Sequence, residues 1–399
     1  MSTAKFKRIA LLFDPSLGYC RDVLEGVQRF ARQRPGWIFF DAVGTKSALR
    51  ALREWEPQGM LVHLFERGFA QELAKLNVPT VNTTSTLLDC KFPLIEIDHQ
   101  KVGRMAAEFF LNRGYERFGF FGSQWAHFSV AREDSFKQCL TEHGFTVSSC
   151  YEEFLPRRVD RESWKFVQRK TVNWLQGLLT SGGPVAVFVS NDLPARFLSN
   201  YCRNLGIRVP QDMALLSVDN DRYECNLASP TLSSVELPSR EIGQRAAALL
   251  DRMLKGRRAP KSPQWLPPVR IVLRGSTEAT AVQDEDVRAF FRWLHDCYDQ
   301  PGTAEDLCAQ IGVGRRTLER KLNNLLGTTI GSEIRRRRLD QAMRLLLESS
   351  ETVGQIAYRT GYSSPERFAV VFRESLSMTP TEFRKRNSLG SPPQISEAV

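Results

Sequence analysis

The sequence predicts an α/β domain of two parallel-sheet lobes followed by an all-α domain with two helix-turn-helix units. Three observations carry this reading. Short β-rich runs alternate with amphipathic helical stretches from residue 6 to about 275, as parallel strands covered by helices require. Residues from about 284 onward read as helices. Within them two stretches, opening at Thr303 and Thr352, each read helix, tight turn, helix.

The strand-like runs are "RIALLF", "WIFF", "GMLVHL", "PLIEI", "RFGFFG", "VAVFVSN" and "MALLSVDN". Between them lie helix-like stretches such as "RDVLEGVQRFARQR", "QKVGRMAAEFFLNRG", "AREDSFKQCLTEHG", "LPARFLSNYCRNLG" and "SREIGQRAAALLDRML". Their total length suits two lobes. Pro-rich "GRRAPKSPQWLPP" reads as a connection and "RGSTEATAVQDED" as the linker between domains. The expected boundaries are a sensor over 1–276, a linker over 277–286, a helical domain over 287–388 and a tail over 389–399.

In the first helix-turn-helix copy Ala304, Leu307, Cys308 and Ile311 form the inward face of one helix, and Gly312 and Gly314 make the turn. Leu318, Leu322 and Leu325 face inward from the next helix, while Arg316, Glu319, Arg320 and Asn323 point away. A long helix with Ile334, Leu339, Met343 and Leu346 as packing positions leads to the second copy. There Thr352 and Gln355 open a helix that Gly361 ends. Ser363 and Glu366 fit a capping box with Pro365 in the first turn, and Thr379 with Glu382 repeats the signal. Phe368, Phe372 and Leu376 form the apolar stripe opposite Glu366, Val370 and Arg373. Two such units joined by one helix resemble the DNA-binding domain of the AraC family. Leu318, Arg320, Ile356-Ala357, Gly361-Tyr362, Phe372-Arg373 and Phe383-Arg384 carry the likeness, which departs at Ser377 and Val370. The candidate DNA-facing residues are Arg315, Arg316, Glu319, Arg320 and Asn323 in the first unit. In the second they are Ser364, Glu366, Arg367, Val370 and Arg373.

Net charge is +10, which suggests an anionic partner, yet its distribution does not locate the DNA contact. Residues 284–399 hold 17 Lys+Arg against 16 Asp+Glu, and residues 1–283 hold 38 against 29. The argument for DNA therefore rests on local placement, with Arg315, Arg316, Arg320 and Lys321 on one helix. The eight cysteines show no C-x-x-C and the five histidines are scattered. Reduced thiols, no metal, no cofactor and a cytoplasmic location are expected. No run approaches the ~18 apolar residues of a membrane span, and the first apolar run meets Asp14 too soon for a signal-peptide core.

The strand ends carry the candidate chemistry, because ligands of open α/β sheets sit there. "VFVSNDLPA" places Asn191 and Asp192, and "ALLSVDND" places Asp219 and Asn220. Amides and carboxylates at such turns suit polyols, since each makes several hydrogen bonds. Each Asp also has a plainer reading as a turn or helix cap. Trp125 and Phe128 lie just before Arg132, either as a stacking face beside an arginine or as packing. Asp14 and Tyr19 follow the first strand and are further candidates. These stretches resemble the periplasmic-binding-protein fold of LacI-type regulators. That resemblance implies sugar contacts from Arg132, Asn191-Asp192 and Asp219-Asn220. The first strand begins almost at once, so no LacI-type DNA-binding head is expected before it. A LacI-like sensor ahead of an AraC-like reader resembles the xylose-operon regulators, through "RIALLFD", "YCRDVLEGV", "ERFGFFG" and "LPPVRIVLRGST". It implies a homodimeric activator of pentose-utilisation genes that responds to D-xylose, with promoter DNA as partner and RNA polymerase as a further candidate. Another pentose, a hexose or a sugar acid remains open as effector. An enzyme reading lacks a phosphate loop, a G-x-S-x-G elbow and a dinucleotide fingerprint. A sequence-tolerant DNA organiser with a vestigial sensor is the third reading.

Overall fold

The computed structural model describes residues 6–34, 36–87, 90–152, 169–180, 182–260, 262–277, 284–297, 299, 304–326, 328–376 and 378–387. Thr303, Ser377, most of the expected linker and the expected tail lie outside the described residues. The chain forms two compact units, Met1–Leu111 with Tyr115–Thr277, and Glu278–Val399 with Asn112–Gly114.

In the first unit, strands β1 (Lys7–Leu12), β2 (Trp37–Ala42), β3 (Gly59–Val62) and β4 (Thr80–Asn82) form a parallel sheet in the order β2-β1-β3-β4. An isolated bridge from Asn82 to Leu94 leads to β5 (Ile95–Ile97). The second lobe is built on β6 (Phe118–Gly122), β7 (Val147–Tyr151), β8 (Val185–Val189), β9 (Met213–Asp219) and β10 (Ser233–Glu236). The remaining strands are β11 (Gln264–Leu266), paired with β5, and β12 (Arg270–Val272), antiparallel to β10. The larger sheet runs β12-β10-β9-β8-β6-β7. Its central strands β6 and β8 are buried throughout, as near-continuous apolar runs in a parallel sheet must be.

Five strands escaped the sequence reading. β4, β7, β10 and β12 are short, and β7 and β10 are serine-rich. β11 lies inside "GRRAPKSPQWLPP", which read as a connection. Ser233 and Ser234 of β10 are fully buried because their hydroxyls find partners within the fold.

Helices α1 (Gly18–Arg32), α2 (Leu49–Trp55), α3 (Arg67–Ala74), α4 (His99–Leu111) and α5 (His127–Glu142) cover the first half of this unit. Helices α6 (Arg169–Leu179), α7 (Asp192–Asn204), α8 (Arg222–Leu227) and α9 (Ser239–Leu254) cover the rest. The chain passes between the lobes after β5, after β10 and after β11. Helix α4 therefore packs on α5 in the second lobe, and α9 returns to pack on α1 in the first. Both helix pairs depend on glycine. A Cβ on Gly26 would collide with the carbonyl oxygen of Arg240, one on Gly243 with that of Val23, and one on Gly103 with that of Arg132.

The second unit consists of α10 (Glu285–Cys297), α11 (Ala304–Ile311), α12 (Arg315–Leu326), α13 (Ile330–Glu348), α14 (Val353–Arg359), α15 (Pro365–Leu376) and α16 (Pro380–Asn387). Helix α10 begins inside the stretch read as linker, with Asp284 bonding the backbone N–H groups of Asp286 and Val287. Val287, Phe290, Leu307, Leu318 and Leu322 form one core; Met343, Leu346, Ile356, Phe368 and Phe372 form another. Helix α13 contributes to both, through Ile330 and Ile334 to the first and Leu339 onward to the second. Leu325, read as inward, is instead 47% exposed. The Thr352–Gln355 capping box is formed, as are reciprocal bonds between Thr379 and Glu382. The Ser363–Glu366 box is displaced by one residue: Ser364 caps α15 by accepting from the Arg367 N–H at 3.2 Å. Pro365 occupies the first helical position, so the residue directly before it is the cap. Among the described residues no helix is long and apolar enough to cross a membrane.

Candidate ligand cavity and nucleic-acid interface

A cavity of about 490 Å³ opens between the lobes of the first unit, within the size range of small-molecule sites. The structure brings Asp14, Tyr19, Trp125, Phe128, Arg132, Asn191, Asp192 and Asp219 to its wall. Asn220 is the exception. Asp219 and Asn220 take positive φ values of 111° and 54°, and this turn directs Asn220 elsewhere. Its Oδ1 accepts from Arg274 at 2.7 Å.

Arg132, in the second turn of α5, is 3% exposed. Its guanidinium donates to the Ser190 carbonyl and to His99 Nδ1, and lies 3.9 Å from Asp219. Its Cζ sits 5.1 Å from the centre of the Phe128 ring. Phe128 thus supports the arginine by a cation–π contact. Trp125 lines the cavity and stays 36% exposed. Asn191 precedes α7 but does not use its side chain as a cap. Its Nδ2 donates to Asp219 at 2.8 Å instead.

The two aspartates differ in what already binds them. One Asp192 oxygen accepts from the Ser217 and Ser234 hydroxyls, and the other from the Asp221 N–H at 2.7 Å. Asp192 therefore shapes the wall, with its acceptor capacity largely used. The other Asp219 oxygen lies 3.9 Å from Arg132. Burial pushes both carboxyls up from their ordinary range; Asp219 adds to this at Asp192, and Arg132 pulls Asp219 back down.

Tyr19 donates its hydroxyl to the Thr83 carbonyl at 2.6 Å, and Asp14 holds Ser16 through both its N–H and its hydroxyl. The lining residues not singled out in the sequence include His63, Glu96 and His99. A glutamate between two isoleucines in "PLIEI" was the one available signal for Glu96. Arg21 of α1 spans the lobes to Asp221, with Nη2 3.0 Å from each carboxylate oxygen.

In the second unit Arg316, Arg320 and Asn323 are exposed on α12. Glu319 is turned to the scaffold, where its carboxylate accepts from the Ile330 N–H at 3.3 Å. Lys321 is held by Asp284 at 2.8 Å and Asp286 at 2.5 Å, which removes it from the basic cluster. Arg315 pairs with Glu305. On α15, Glu366, Arg367, Val370 and Arg373 are exposed, and Ser364 serves as the cap. Helix α13, 19 residues long and so about 28 Å from end to end, joins the two helix-turn-helix motifs.

A model of a periplasmic binding protein-like domain matches residues 107–277, and a helix-turn-helix domain model matches 307–386. The xylose operon regulatory protein of Escherichia coli (strain K12) is 28% identical over 394 residues, 96% of this chain and 98% of that protein. The solved structure of a xylose-binding transcription activator, XylR, is 26% identical, with a TM-score of 0.61 and coverage of 96% and 99%. The chain is a XylR-like transcription regulator. The regulator is likewise 26% identical to the xylose operon regulatory protein of Haemophilus influenzae, over 96% of this chain and 99% of that one. Both domains, in this order, are thus shared along nearly the whole length.

Proposed function

We propose that the regulator is a sugar-responsive activator whose effector is D-xylose, bound between the lobes, and whose target is promoter DNA. The observation that carries this reading is the convergence of Arg132, Asn191 and Asp219 on one cavity in a chain that also bears two exposed helix-turn-helix faces. An arginine, an amide and a carboxylate offer both donors and acceptors, which a polyol needs. The similarity to xylose operon regulators supports the choice of pentose. The regulator acts in the cytoplasm as a homodimer, as LacI-type sensors pair side by side, and contacts RNA polymerase. It carries out no turnover of the sugar.

A hydroxyl network joins the cavity wall to Ser276 and Thr277 of the sensor. Asp192 binds Ser217 and Ser234, Ser217 bonds the Ser233 carbonyl, and Ser233 Oγ meets Thr277 Oγ1 at 2.6 Å. Ser276 bonds the Ser233 N–H at 2.8 Å. Ser276 and Thr277 are thereby tied to the cavity wall through β10.

The test is a calorimetric panel of pentoses, hexoses and sugar acids against the full chain, followed by footprinting with each binder. D-xylose is expected to bind and to alter the footprint. A panel without any binder, or detection of sugar turnover by NMR, would count against the reading. A pH dependence follows from Asp219, whose titration is moved up from 3.8 by burial. Sugar hydroxyls donate to the ionised carboxylate, so binding favours that form and releases protons. Affinity is expected to fall as pH is lowered from about 8 to about 5. Calorimetry of Asp219→Asn checks this, since its weaker binding should lose much of the slope.

A further inference from the structure

The first-lobe wall of the cavity carries a carboxylate with spare acceptor capacity. Glu96 lies in the middle of β5 and is 3% exposed. Its Oε1 meets His99 Nε2 at 3.1 Å. Its Oε2 is buried and has no hydrogen-bond partner among the described residues. His99 Nδ1 accepts from Arg132 Nε at 3.3 Å, which places the ring proton on Nε2, toward Glu96. Burial lowers the His99 pKa, so the ring is a neutral donor.

Among the described lining residues the two arginines, Arg132 and Arg196, already face carboxylates. Arg132 faces Asp219 at 3.9 Å and donates to the Ser190 carbonyl. Arg196 is paired with Glu224 at 2.5 Å. A buried acceptor with empty lone pairs is costly until a donor fills it. A ligand that brings hydroxyls to Glu96 supplies that donor. One that brings a carboxylate or phosphate sets like charges together without intervening water.

Resting on the sugar reading of this cavity, we propose that Glu96 is its specificity-determining residue. It accepts hydroxyl donors from a neutral sugar and excludes sugar acids and sugar phosphates. The Arg132–His99–Glu96 chain joins the two walls, so Glu96 is also held in register with the arginine.

The experiment is titration calorimetry of the full chain with D-xylose, L-arabinose and D-glucose and with their aldonic acids. The proteins are wild type, Glu96→Gln, Glu96→Ala and Asp219→Ala, each checked by thermal melting. Wild type is expected to favour its best neutral sugar over the matching aldonate by about 100-fold or more. Glu96→Ala should weaken the neutral sugar by about 10- to 100-fold. Glu96→Gln, which keeps an acceptor but loses the charge, should narrow the sugar-to-aldonate ratio by about tenfold. A wild type that prefers the aldonate overturns the proposal even if both Glu96 variants misfold. So does an unchanged ratio in Glu96→Gln together with unchanged sugar affinity in Glu96→Ala. In these cases an Asp219→Ala loss leaves the sugar reading standing. If wild type binds no neutral sugar at all, the sugar reading fails, and this inference with it.

Discussion

An Asp219→Ala chain is expected to bind its sugar about 30- to 1,000-fold more weakly than wild type, a cost of ~2–4 kcal/mol. Asp219 is a buried acceptor at the end of β9, oriented by Asn191 at 2.8 Å and facing Arg132 at 3.9 Å. Its removal leaves sugar hydroxyl donors unpaired in a desolvated cleft, and that penalty exceeds the worth of an ordinary surface bond. The substitution lies at a turn, so helical content should remain. Asp192→Ala is the informative contrast. Its carboxylate is already taken by Ser217, Ser234 and the Asp221 N–H. Removing it orphans protein donors, so its main expected effect is a lower melting temperature of the sensor. Calorimetry and thermal melting on both variants separate binding from support. An Asp219→Ala protein that binds within about threefold of wild type would take this residue out of the site.

The second large effect concerns DNA. Arg320→Ala is expected to cost ~1–3 kcal/mol and to relax base preference at one position. Arg320 is exposed on α12, where a guanidinium can bond guanine O6 and N7. Arg373 lies late in α15, a place suited to phosphate. Arg373→Ala should weaken all sequences alike and flatten the salt slope by about one. On the outer face of α15, one turn before Arg373, Val370 is 46% exposed. It has no hydrogen-bonding group, and an apolar face there suits a thymine methyl. Replacing the facing thymine by uracil should weaken wild type modestly and Val370→Ala hardly further. Binding measured across a base-substituted operator set at several salt concentrations checks all three. Equal, sequence-independent losses for Arg320→Ala and Arg373→Ala would reduce α12 to a positioning role.

What the sequence made legible follows from periodicity. Phe368 and Phe372 are fully buried, Val370 is outside, and both Gly312 and Gly361 adopt the positive φ that ends a helix. Strand-end placement also put Asp14, Asn191, Asp192 and Asp219 where the cavity wall forms, because parallel sheets deliver their loops to one edge. The failures are local. Asn220 follows Asp219 directly, and only the turn geometry decides which of the two faces the cavity. Glu319 sits on the outward face by spacing, yet the start of α13 comes close enough to claim it. Lys321 reads as part of a basic patch until α10 brings Asp284 and Asp286 beside it. Glu96 was hidden because a single acid in an apolar strand shows its cost only when its burial is known.

A neutral sugar in the cleft is expected to govern how the helix-turn-helix domain engages DNA. The most direct test is a footprint of the full chain on its own promoter, titrated with D-xylose, for wild type and Asp219→Ala. Two recognition helices on one domain should protect two successive major-groove faces, about 34–36 Å apart. D-xylose is expected to change the wild-type footprint, and Asp219→Ala to need far more sugar for the same change. A wild-type footprint identical with and without a sugar that calorimetry shows to be bound would contradict it.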